Sequence, residues 1–74
     1  MTQMLISRPD VQVTAELLER CDRCGAAAKA HVELASEGTL TFCGHHANRY
    51  ADRILAIAAT VVLEEGFAWR GVPA

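Results

Sequence analysis

Apolar and polar side chains alternate over residues 28–34, with Ala28, Ala30, Val32 and Leu34 on one side and Lys29, His31 and Glu33 on the other. A period of two marks a half-buried strand. Ser36-Glu37-Gly38 is a turn signal, and residues 39–43 alternate again with Leu40 and Phe42 inward. Together the two runs predict a β-hairpin. Residues 45–65 hold no Gly or Pro and are rich in alanine, which predicts a helix stopped at Gly66. At about 100° per residue, Ala47, Tyr50, Ala51, Ile54, Leu55, Ile57, Ala58, Val61 and Val62 share one broad face. Asn48, Arg49, Asp52 and Arg53 oppose them. In the second half Ala56, Ala59 and Leu63 carry apolar surface round the back. Upstream, Thr14 is placed to cap a short helix over residues 15–20, with Glu16 in its first turn and Leu17 and Leu18 inward. Residues 1–13 read as an arm bearing Met4, Leu5 and Ile6. Residues 67–74 read as a tail with Phe67 and Trp69.

The chain has 74 residues, which implies one domain over residues 14–66 with little room for a core. A domain of that size usually needs a metal, disulfides or a partner. Net charge is −2, so a general electrostatic grip on nucleic acid or an anionic membrane is not indicated. The longest apolar stretch, residues 54–63, falls far below the roughly 18 residues of a membrane span. No apolar run near the start has the length of a secretory signal. Three cysteines is an odd number for a disulfide framework. A reducing cytoplasm is the expected setting, and there clustered Cys and His point to metal or catalysis.

Cys21 and Cys24 are separated by two residues, and Gly25 can supply the positive φ of a tight knuckle. Cys43 and His46 repeat the spacing after eighteen residues that the hairpin fills. Pair, hairpin, pair matches the C-x2-C…C-x2-C zinc pattern with one Cys replaced by His. Cys21, Cys24, Cys43 and His46 are thus the expected ligands of one structural Zn²⁺. His45 is the alternative fourth ligand, at the cost of an asymmetric C-x-H half-site; His31 is expected on the solvated strand face. A redox C-x-x-C would expect a βαβ context and would leave Cys43 and the histidines unexplained. Three thiolates and an imidazole fill a tetrahedron, so catalytic zinc, which keeps a position open, is not expected. Arg20, Arg23, Arg49 and Arg53 flank the two half-sites. They form either a small phosphate-binding patch or charge compensation for the thiolates, Asp22 and Asp52.

At Cys21-Asp22-Arg23-Cys24-Gly25-Ala26 and Thr41-Phe42-Cys43-Gly44-His45-His46-Ala47 the chain resembles a family of very short, uncharacterised zinc-binding proteins of actinobacteria and their phages. The likeness covers residues 21–51. It implies zinc binding and no assigned reaction. The strongly apolar helix and the Phe67 and Trp69 tail depart from that family's polar ending. Knuckle, hairpin and helix also resemble a treble clef finger or short zinc ribbon. The expectation is a small α+β zinc-stabilised domain with a long C-terminal helix, acting without catalysis as a protein–protein interaction module. Its partner would be a second copy of the chain or another protein, bound through residues 54–63. The alternative is a nucleic-acid-associated zinc finger or transcription accessory factor using the four arginines.

Overall fold

Four strands and two short helices make up the regular structure of the computed structural model, which describes residues 9–72. They run β1 (Asp10–Thr14), β2 (Ala30–Leu34), β3 (Thr39–Phe42), α1 (Gly44–Arg49), α2 (Ala51–Ile57) and β4 (Ala58–Glu64). The sheet order is β1-β4-β2-β3. β1 lies parallel to β4, and the other neighbours are antiparallel.

Register sorts the side chains into rows across the sheet. Phe42, Ala30, Leu63 and Val13 form one row, and Leu40, Val32, Val61 and Val11 the next. These apolar rows share a face, because residues two apart on a strand point the same way. The rows between them are Thr41, His31, Val62 and Gln12, and Thr39, Glu33, Thr60 and Asp10, which form the polar face. The hairpin's alternation has thus become an in/out division. Ala47, Ala51 and Ile54, at successive helical turns, bury themselves in the core formed with Val32, Val61, Phe42 and Leu63.

The long helix expected over residues 45–65 is not formed. Two short helices, divided at Tyr50, end at Ile57, whose carbonyl accepts the Ala35 N–H at 2.9 Å. Residues 58–64 are instead an inner strand between β1 and β2, with a bulge opposite Glu33 and Leu34. Thr60, Val61 and Val62 are β-branched and lose side-chain freedom in a helix. Val61 and Leu63 are buried on its inner face, and Val62 on the other face is only partly covered, so apolar residues fall on both faces and blur the alternation. That surplus apolar surface had suggested self-association through residues 54–63; much of it is now within the sheet. The treble-clef or zinc-ribbon arrangement with a C-terminal helix gives way to a four-stranded mixed sheet with short helices.

The helix expected over residues 15–20 is absent too. Thr14 ends β1, and its carbonyl accepts the Glu65 N–H at 2.7 Å. The Leu17 N–H goes to Glu64 Oε1 at 3.1 Å, and Leu18 stands 85% exposed. The backbone here bonds across to the end of β4 instead of along a helix of its own. Lys29 Nζ meets Glu64 Oε2 at 2.8 Å. That bond and the Leu17 N–H hold the Glu64 carboxyl below its ordinary range. Met4, Leu5 and Ile6 lie outside the described residues. Further along, Trp69 is buried in the core and its Nε1–H donates to the Ala47 carbonyl at 2.8 Å. Gly71 sits so close to the indole that an added Cβ would come within 2.5 Å of it. No helix among the described residues is long and apolar enough to cross a membrane.

In urea unfolding of metal-loaded protein, Ile54→Ala should cost about 2–5 kcal/mol, because the side chain is fully buried. Val13→Glu, at a position 66% exposed on edge strand β1, should stay within about 0.5 kcal/mol. Equal losses at the two positions would contradict this division between core and edge.

Candidate metal centre

The first half-site is a closed knuckle. Cys21 N–H donates to the Ala26 carbonyl at 2.7 Å, and Gly25 N–H donates back to the Cys21 carbonyl at 2.9 Å. Closing so tight a loop requires φ +80° at Gly25, where a Cβ would be strained. An antiparallel bridge between Arg20 and Ala27 seals its base. Cys21 is buried and Cys24 exposed.

The second half-site uses the start of a helix. Cys43 ends the hairpin in extended conformation and is the N-cap of α1, its sulfur accepting the His46 N–H at 3.5 Å. His46 is therefore the third helical residue, where the capped N–H lies. C-x-x-H spacing at a helix start thus brings both side chains to one place. Nδ1 of His46 stands 3.4 Å from Cys43 Sγ and 3.5 Å from Cys21 Sγ. Cys24 Sγ is 3.8 Å from Cys43 Sγ, far beyond the roughly 2.05 Å of a disulfide. All four ligand atoms fall within 4.8 Å of one another. His45 is exposed, edge-on to the His46 ring at 5.1 Å, and outside the cluster. His31 belongs to the polar face of the sheet, half-buried rather than fully solvated, 3.9 Å from Glu19 Oε2.

Charge is handled unevenly across the cluster. Burial pushes the Cys21 thiol up, but the backbone N–H groups of Cys43, Arg23 and Cys24, aided by His46, draw it from 9.0 to about 6. A thiolate at Cys21 is thereby favoured, as a metal ligand needs. Cys24 moves the other way. The Ala26 N–H lowers it, but desolvation and the Cys21 and Cys43 sulfurs together push it up.

Two further residues shape the site and are not evident in the spacing. Asp22, inside the knuckle, behaves like a strand partner for Thr41. Its N–H donates to the Thr41 carbonyl at 2.9 Å, and its Oδ2 accepts the Thr41 N–H at 2.8 Å. Thr41 Oγ1 donates to the Arg20 carbonyl at 2.7 Å. These bonds fasten the first half-site to the strand that leads into the second. Tyr50, at the break between the helices, stacks on the His46 ring with centroids 5.9 Å apart and planes 8° apart. The Arg23 and Arg49 guanidiniums lie 5.5 and 6.0 Å from the Tyr50 ring centre. A sequence signal existed for Tyr50, four residues after His46 and so one helical turn on. None existed for Asp22.

Fold and site define a small α+β domain whose Cys₃His cluster can hold one metal ion. The chain belongs to the DUF7455 family, a domain of unknown function whose family model matches residues 15–68. The knuckle, hairpin, helices and β4 lie within that match, whereas β1 and Trp69 lie outside it. No curated protein and no solved structure matches the chain.

Asp22→Ala should cost about 1–3 kcal/mol, because the N–H of buried Thr41 would lose its acceptor. Metal content should stay unchanged. Loss of the metal together with stability would mean that Asp22 acts on the cluster itself.

Proposed function

We propose that the protein is a non-enzymatic interaction module whose fold is secured by one structural zinc ion on Cys21, Cys24, Cys43 and His46. The observation that carries this reading is the set of separations within the cluster. Tetrahedral zinc with Zn–S near 2.3 Å and Zn–N near 2.0–2.1 Å spaces two sulfurs about 3.8 Å apart and sulfur and nitrogen about 3.5 Å apart. The cluster has 3.8 Å between Cys24 and Cys43, and 3.4 and 3.5 Å from His46 Nδ1 to Cys43 and Cys21. Thiolate-rich donor sets suit zinc among the common divalent ions. The zinc would join the knuckle to the head of α1. Three sulfurs and one imidazole complete its coordination and leave no position for a substrate, which favours a structural over a catalytic role. A reducing compartment such as the cytoplasm suits free thiolates.

Purified protein should carry one zinc per chain. Structural zinc in small domains contributes on the order of 10–16 kcal/mol of apparent binding energy. A strong chelator should therefore unfold the domain, and the emission of buried Trp69 should shift to the red. His46→Ala should lose both zinc and fold, whereas His45→Ala should keep both. Less than half an equivalent of zinc in protein prepared without chelator would overturn the metal reading.

A further inference from the structure

Beside the cluster, between β3 and α2, lies a groove of about 440 Å³. That volume falls within the roughly 300–1,000 Å³ of specific binding pockets. Leu40, Phe42, Ile54 and Ile57 give it an apolar lining, and Ile57 is still 44% exposed. Arg23 and Arg53 are the two cationic residues on its wall, and Asp22 is the one acidic residue there. Neither guanidinium has a hydrogen-bond or ion-pair partner among the described residues. The carboxylates nearest to them in sequence lie against other groups. Asp22 accepts the Thr41 N–H, and Asp52 Oδ1 lies 4.0 Å from Arg70. In a chain with nine acidic and seven basic residues, two arginines without a carboxylate partner among the described residues, beside an exposed isoleucine, are a place for a carboxylate from outside.

We propose that this groove docks an acidic segment of a partner protein. An aliphatic side chain of the segment packs on Ile57 and Leu40, and flanking Asp or Glu carboxylates meet Arg23 and Arg53. The proposal deepens the interaction-module reading and rests on it. The segment crosses the groove rather than adding a strand at Thr41, whose outward N–H and carbonyl are already bonded to Asp22. Single-stranded nucleic acid is the weaker occupant on two grounds. Its bases need free aromatic faces, whereas Tyr50 already carries His46 and two arginines around its ring. Its phosphates would gain nothing from an aliphatic lining.

The test selects peptides from a random displayed library on immobilised zinc-loaded protein and measures one enriched peptide by fluorescence anisotropy. Enriched sequences should place Asp or Glu beside Leu or Ile. The double variant Arg23→Glu/Arg53→Glu and the single variant Ile57→Asp should each weaken binding about tenfold or more, as expected for anchor residues. Both should keep full zinc and the monodisperse mass of the unmodified protein. Absence of acidic enrichment, or equal binding by the variants, overturns the proposal. So does a mixed-sequence DNA oligonucleotide that binds more tightly than the peptide and weakens steeply with salt. A light-scattering mass of two chains that falls to one with Ile57→Asp would put a second copy in the groove instead. Zinc analysis of the same sample separates the two readings. Folded, zinc-loaded protein without peptide binding fails the groove alone, whereas protein lacking zinc fails the metal reading.

Discussion

Cys43 is where three structural demands meet. It ends the hairpin, caps α1 through the His46 N–H, and holds its sulfur 3.8 Å from Cys24 and 3.4 Å from His46 Nδ1. The direction in which α1 leaves the sheet is therefore coupled to the geometry of the cluster. That direction carries Ala47, Ala51 and Ile54 over the apolar rows. It also carries Tyr50 to the His46 ring and the Ala47 carbonyl to the Trp69 indole. A domain this small has few other means of fixing the angle between its helices and its sheet, which is why small folds lean on such staples.

The knuckle is fastened as firmly as it is folded. Its internal bonds shape Cys21 and Cys24, but the Asp22 and Thr41 exchange and the Thr41 bond to the Arg20 carbonyl set its position. They also use up polar groups on the outer edge of β3, a device that blunts an edge strand. With the knuckle on one side and α2 on the other, β3 forms the bottom of the groove that Arg23 and Arg53 flank. Metal centre and groove thus share a wall. Arg23 belongs to both: its backbone N–H reaches Cys21 Sγ at 3.4 Å, and its guanidinium lies over the Tyr50 ring.

Around this body the chain adds two elements outside the family match. β1 supplies the parallel edge of the sheet, with Val11 and Val13 continuing the apolar rows into partly exposed positions. Trp69 closes the core over α1, with Gly71 against its ring. Neither element supplies a member of the metal cluster. Both extend the packing that the matched residues begin.

By itself the sequence marked the hairpin and the three cysteines with His46 as the favoured fourth member, His45 staying the alternative until folding set His46 beside the sulfurs. Two equal half-site spacings separated by two alternating runs have few other geometric outcomes, and the helix start at Cys43 follows from its place before an alanine-rich stretch. Local pattern could not decide between helix and strand over residues 58–64. Val62 interrupts the alternation of Val61 and Leu63 with polar residues, so the period that distinguishes strand from helix is lost. Tertiary structure decided it, because β1 and β2 both needed a partner, and Thr60, Val61 and Val62 suit a strand better than a helix. The same holds for Asp22. Its carboxylate matters only because folding sets it against an edge N–H nineteen residues away, a contact that no spacing along the chain encodes.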